Sequence, residues 1–227
     1  MILEITLIGF VAGIVGTVSG AIISLVFRKS IDKYLDIFMG LCGGIMLSVV
    51  SFELITESIQ QMGTLNSVIF CIVGVLSTYL IKNSLEFEDN LRGGYLIFIS
   101  MLIHNFPEGL AIGSSYLWKQ SLGITLALII GLHNIPEGLA MALSLIKGKM
   151  NVLKVFGLTF LAGVPMGIGS FVGAYFGNIF SDIIGIFLAI AAGTMLYITI
   201  DEIFPRSKPE YCVLGFLLGI FIVNLNG

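Results

Sequence analysis

From Met1 to Phe27 the chain carries a single charged side chain, Glu4, and apolar stretches of this kind recur along its whole length. A backbone that crosses lipid must satisfy its own N–H and C=O groups, which leaves α-helices or a closed barrel. These stretches run for about 20 residues without the alternation of barrel strands, which span in about 10, so helices are the solution. Composition agrees: 57% of residues are hydrophobic, 11% are charged and mean hydropathy is +1.05. Soluble domains carry about a quarter charged residues. The chain is therefore expected to be an all-α integral membrane protein with the lipid bilayer as its partner.

Hydropathy and the placement of charges divide residues 1–227 into eight spans, approximately 3–27, 35–59, 65–82, 93–117, 121–146, 153–177, 183–205 and 211–227. The connectors are short, so a single transmembrane domain, 1–227, is expected. The first span lacks a basic leader region and is long enough to cross, so it reads as retained. Arg28, Lys29, Lys33, Lys82, Arg92, Lys147, Lys149, Lys154, Arg206 and Lys208 all fall on one side, and only Lys119 on the other. The positive-inside rule makes the basic side cytoplasmic and places both termini outside. Cys42, Cys71 and Cys212 lie within apolar stretches and imply no disulfide framework. No basic tract points to nucleic acid, and the acidic run Glu86, Glu88, Asp89 reads as a solvated connector.

Into this apolar background the chain places one phrase twice: His104-Asn105-Phe106-Pro107-Glu108-Gly109-Leu110-Ala111 and His133-Asn134-Ile135-Pro136-Glu137-Gly138-Leu139-Ala140. Both histidines of the chain are spent here. On a helix the His and Glu lie four residues apart on one face, so each copy offers an imidazole and a carboxylate to one point in space. Two such helices facing each other make a four-ligand nitrogen and oxygen cage. Pro107 and Pro136 also free the carbonyls of Ile103 and Leu132 beside it. Holding Glu108 and Glu137 at bilayer depth costs on the order of 2 to 3 kcal/mol each. No Lys or Arg lies nearby in either span, so a cation from solution is the natural partner.

A second repeat relates the outer spans. Gly44, Met46, Leu47 and Glu53 of span two align with Gly193, Met195, Leu196 and Glu202 of span seven. Phe10-Val-Ala-Gly-Ile14 of span one aligns with Phe160-Leu-Ala-Gly-Val164 of span six. Spans 1–3 thus echo spans 6–8 around a central pair, spans 4 and 5, and the odd number of spans between the copies makes the repeat inverted. Inverted repeats are a recurrent plan of secondary transporters, whose site lies at the midplane. Repetition marks Met46 as a candidate soft contact, although a midspan Met is more often packing. Glu53 lies towards the outer end and Asp201 and Glu202 towards the inner end, which suits the mouths of a cation path.

At the two phrases the chain resembles the ZIP (Zrt/Irt-like) family of divalent metal transporters, and the resemblance extends over the eight spans and the Gly-x-Met-Leu segment of span two. It implies uptake of zinc or a related divalent metal into the cytoplasm, through spans 4 and 5, within a homodimer; the compact chain reads as that of a prokaryotic plasma-membrane protein. The resemblance also implies that His104, Glu108, His133 and Glu137 are the primary metal ligands, and that Asn105 and Asn134 contribute to a neighbouring second site bridged by the glutamates. Some members carry an acidic residue before the proline of span six, where this chain has Val164-Pro165, and some carry Asp at the position of Asn134. A second metal is therefore expected to bind weakly here or not at all.

The donor set suits Zn²⁺ as transported substrate, with Fe²⁺, Mn²⁺, Co²⁺ and Cd²⁺ also compatible, since no thiolate demands a soft ion. The alternative is a membrane-embedded metalloenzyme that uses the same cage to activate water. A proton-linked carrier of organic solutes would leave both histidines unexplained. Nothing beyond the cage resembles a proton relay or a substrate cleft, so transport is expected.

Overall fold

The computed structural model describes residues 1–84 and 88–223. Glu86 of the acidic connector, and residues 224–227 expected in the last span, lie outside them. The described chain is helical with no strand: α1 (Ile2–Val26), α2 (Ile31–Val49), α3 (Ile55–Met62), α4 (Thr64–Ser84), α5 (Asp89–Trp118), α6 (Gln120–Lys147), α7 (Val152–Ile198) and α8 (Pro209–Val223). Local chemistry sets several boundaries. Gly63, at φ +81°, supplies the left-handed turn between α3 and α4. The Asn151 side chain accepts from the Leu153 N–H at 2.8 Å and caps α7. Pro107, Pro136 and Pro165 sit inside helices that continue through them.

Seven segments are long and apolar enough to cross a bilayer, where eight are expected from hydropathy. The shortfall is α8, whose 15 residues give about 22 Å of helix against a hydrocarbon core of about 30 Å. The opposite mismatch occurs in α7, where helical geometry persists for 47 residues, about 70 Å if straight. It is not straight. Gly169 abuts the Phe106 carbonyl, while the Phe187 ring centroid lies 6.3 Å from that of Phe106. Eighteen residues of straight helix would separate these contacts by about 27 Å, so the chain reverses between them and α7 supplies two spans, Val152–Phe176 and Ile184–Arg206.

The two ends of the bundle are distinguished by charge. At one, Lys82 pairs with Asp201, Arg92 donates to the Lys82 carbonyl at 3.0 Å, and Lys208 pairs with Asp36. This is the basic end; the other carries Lys119 between α5 and α6. Helix directions follow from contacts. Ser58 donates to Ser67 and to the Gly185 carbonyl, whereas Lys82 reaches Asp201, so α4 and the second half of α7 run in parallel towards the basic end. Gly40 abuts Tyr211 and Gly219 abuts Ser48, so α2 and α8 run in parallel the other way.

The central pair α5 and α6 is clasped by α1 and by the first half of α7. Gly20 packs against Ile135, Gly138 and Leu139, and Gly169 against Phe106, Gly109 and Leu110, which are the same three positions of the two phrases. Gly13 and Gly163 bring the backbones of α1 and α7 into contact with each other. Such approaches need residues without a Cβ, the usual device where helices pack in lipid. Two π-helical turns interrupt the outer spans, Val50–Leu54 after α2 and Thr199–Ile203 after α7, and they carry Glu53 and Glu202.

Candidate metal site

His104 lies 15 residues from the start of α5 and 14 from its end, and His133 lies 13 from the start of α6 and 14 from its end. Both phrases are therefore at the middle of their helices. His104, Asn105, Glu108, His133, Asn134 and Glu137 are each at most 1% exposed.

Their pairing differs from the one expected from helical spacing. The His and Glu of one phrase do not join at a single point; each His meets the Glu of the other phrase. His104 Nε2 lies 2.9 Å from Glu137 Oε2, and His133 Nε2 lies 3.3 Å from Glu108 Oε1. Among the described residues no three His, Cys, Asp or Glu side chains close around one point as a finished cage. The reason is electrostatic: two buried carboxylates repel, and each lowers its energy by taking the nearest N–H donor.

This pairing leaves acceptors over. Glu108 Oε2, Glu137 Oε1, Asn105 Oδ1 and Asn134 Oδ1 are buried without a hydrogen-bond partner, as are His104 Nδ1, His133 Nδ1 and Glu53 Oε2. Buried polar atoms are normally satisfied, so a concentration of orphans with oxygen and imidazole chemistry describes a place suited to a hard or borderline cation. The amides are oriented differently. Asn105 donates to the Ala162 carbonyl at 2.6 Å, whereas Asn134 finds only the Met166 thioether at 3.8 Å.

The remaining candidates fall at varied distances from this cluster. Glu53 Oε2 stands 3.9 Å from His133 Nδ1, so Glu53 belongs to the edge of the site rather than to a distant mouth. Met46 is buried in the apolar core cluster that also holds Leu139 and Met141. Asp201 and Glu202 are placed at the basic end and are occupied: Lys82 pairs with Asp201 and lies 3.5 Å from Glu202, and Arg206 donates to Glu202 at 2.8 Å.

Access is unequal at the two ends. A cavity of 310 Å³ at the Lys119 end is lined by Glu53, Glu57, Gln61, Ser114 and Ser115 and reaches Glu108. A cavity of 670 Å³ at the basic end is lined by Asp36, Asp89, Ser144, Arg206 and Lys208, with no phrase residue among its described lining. On the wall of that cavity Arg206 donates to Ser144 at 3.2 Å as well as to Glu202. Lys82 and Arg206 were not singled out from sequence, although Glu202 and Arg206 have the i, i+4 spacing of a helical ion pair. Gly93 was a further signal, since a Cβ there would occupy the space of the Arg206 guanidinium.

A bundle of helices long and apolar enough to cross a membrane, with a buried donor cluster at its middle reached by a cavity that carries several polar groups, has the build of a membrane transporter. The model of the ZIP zinc transporter family matches residues 82–227. Among similar proteins, the zinc transporter ZupT of Chlorobium luteolum is 31% identical over 242 residues, covering 91% of this chain and 91% of that protein. ZupT proteins of Chlorobium chlorochromatii and Clostridium perfringens are 28% and 26% identical, covering 91% of this chain and 88% and 89% of their own lengths. The chain belongs to the ZIP zinc transporter family. Members of this family are transporters and not enzymes, so the metalloenzyme alternative is not favoured.

Proposed function

We propose that this protein carries zinc across the prokaryotic plasma membrane into the cytoplasm, and that His104, Glu108, His133 and Glu137 bind it on the way. Divalent metal transport follows from the family; the residues that do it are inferred from the site. The observation that carries the reading is the buried cross-pairing of two His and two Glu with an unsatisfied oxygen left on each carboxylate. A divalent ion that separates the pairs gains four nitrogen and oxygen donors at once and relieves the repulsion between the glutamates. Asn105 Oδ1 and Asn134 Oδ1 offer acceptors to a second, weaker position. The donor set also accommodates Fe²⁺, Mn²⁺, Co²⁺ and Cd²⁺.

The layout is read as eight crossings in an inverted repeat, spans 1–3 and 6–8 around α5 and α6, within one transport unit of residues 1–227. Three observations support it. Gly13 and Gly163, equivalent in the repeat, touch each other; Gly20 and Gly169 pack on equivalent phrase positions; and Glu53 and Glu202, also equivalent, both stand in π-helical turns. The parallel course of α2 and α8 supports a complete eighth crossing despite its short described length. Orientation follows from the basic end, which is taken as cytoplasmic; both termini then lie outside, and the cavity that reaches Glu108 faces outwards. A homodimer is the assembly implied by resemblance.

The test is zinc uptake into proteoliposomes by His104→Ala and Glu137→Ala, with circular dichroism and elution volume confirming the fold. Each variant is expected to lose most of its uptake, because one ligand lost from four leaves the remaining charge poorly compensated. Uptake at the wild-type rate by both folded variants would remove the site assignment while leaving family membership intact.

A further inference from the structure

His133 has two faces. Its Nε2 points to Glu108 at 3.3 Å, inside the proposed metal site, while its Nδ1 points away, towards Glu53 Oε2 at 3.9 Å. Both Nδ1 and that oxygen are buried, and neither has a hydrogen-bond partner. When Nε2 of a neutral imidazole ligates a metal, the ring proton must sit on Nδ1, where it becomes a donor that needs an acceptor. Among the described residues, the acceptor that the structure places opposite it is Glu53.

We propose that Glu53 is a positioning residue for zinc binding: its carboxylate accepts the Nδ1–H of His133 when Nε2 is on the metal, and so fixes the tautomer and the angle of the ring. The proposal rests on the His/Glu site described above. At 3.9 Å the two atoms are beyond the ~3.2 Å reach of an N–H···O bond, so a closure of somewhat under 1 Å completes it. Glu53 is carried on the π-helical turn Val50–Leu54, a local widening that is frequent at functional sites and re-aims a side chain. His104 has no such partner. Its Nδ1 is also unsatisfied, and the residue equivalent to Glu53 in the repeat, Glu202, is held by Lys82 and Arg206. The two histidines are thus supported unequally, and His133 is the better oriented ligand. An acid that acted through its charge alone would be lost equally in Ala and in Gln, whereas an acceptor of the Nδ1–H is partly replaced by Gln.

The experiment measures zinc affinity of the purified full-length protein by chelator competition for wild type, Glu53→Ala, Glu53→Gln and His133→Ala. Loss of an outer-shell partner of this kind costs ten- to a hundred-fold in affinity, so Glu53→Ala is expected to weaken zinc binding by that factor. Glu53→Gln keeps an acceptor oxygen in nearly the same shape and should lose distinctly less. The chain has two histidines, so protein carrying isotope-labelled histidine shows two rings. The Nδ1–H signal of His133, assigned by its absence from His133→Ala, should be present with zinc in wild type and Glu53→Gln and be shifted or exchanged away in Glu53→Ala. Unchanged affinity with an unchanged signal in Glu53→Ala overturns this inference alone. So does an equal loss in Ala and Gln with the signal unmoved, which would make Glu53 a charge and not an acceptor. Wild-type affinity in His133→Ala overturns both this inference and the site on which it rests.

Discussion

Glu53 and Glu202 occupy equivalent positions in two similar segments, each on a π-helical turn, yet their surroundings are opposites. Glu53 lines an open cavity, has a neighbouring Glu57 in the same lining, and keeps a buried oxygen without a partner. Glu202 is 7% exposed and is clamped by Lys82 at 3.5 Å and Arg206 at 2.8 Å. The difference lies in the basic residues that face Glu202. Lys82 comes from the end of α4 and Arg206 from the turn after α7, and among the described residues neither has a basic counterpart beside Glu53. On the proposed inverted repeat, the two ends must differ somewhere for one to be open while the other is closed. Here the two ends differ in charge pairing: the basic-end cavity has no phrase residue in its described lining, and the carboxylate at that end is paired.

The strongest way to break this comparison is to remove both cations. In Lys82→Met with Arg206→Met, Glu202 keeps its burial and loses its counter-charges. The Lys82 and Arg206 side chains are 20% and 35% exposed, so together the pairs are worth about 1 to 3 kcal/mol rather than the 3 to 5 of a fully buried network. An energy of that size shifts an open-to-closed equilibrium by roughly ten- to a hundred-fold. A reporter cysteine at Ser144→Cys, in a background without Cys42, Cys71 and Cys212, should be labelled from the basic side faster by that factor. An unchanged rate would mean that the pairs are incidental and that packing alone closes this end.

A smaller effect is expected from metal itself. If the site opens alternately to the two ends, saturating zinc should change labelling of Ser115→Cys, in the cavity that reaches Glu108, and of Ser144→Cys in opposite directions, each by a few-fold. Parallel changes, or none at either position, would argue for a fixed pore and would leave the contrast between Glu53 and Glu202 without a role in transport.

Much of this was legible in the sequence because lipid simplifies the code. Length and polarity alone find the spans, and in an apolar background a His, Asn or Glu stands out. The repeated phrases and the alignment of Glu53 with Glu202 were visible for that reason. Three features were not. The His104 to Glu137 and His133 to Glu108 pairing depends on how two helices rotate against each other, which spacing within one helix does not encode. The reversal within α7 leaves no break in helical geometry, although hydropathy divides the two spans correctly. Lys82 reads as a cation at a helix end, and the partner that gives it meaning, Asp201, is 119 residues away.

The finest contrast is between the two asparagines, which the phrases make look interchangeable. Asn105 donates a short bond, 2.6 Å, to the Ala162 carbonyl. Asp in its place would set an unpaired carboxylate oxygen against that carbonyl, a buried repulsion worth roughly 2 to 4 kcal/mol. Asn134 donates only to the Met166 thioether at 3.8 Å, a weak acceptor whose loss costs little. Both variants bury a further carboxylate at a cost in stability, but Asn105→Asp also breaks the Ala162 bond and should melt at the lower temperature of the two. The new carboxylate at 134 adds a hard donor beside Glu137, so Asn134→Asp should also hold more of a second metal, read as zinc per chain by elemental analysis of the purified protein. Equal stability of the two variants would show that the Ala162 bond contributes nothing. An unchanged zinc content in a folded Asn134→Asp would place that side chain outside the reach of any second ion.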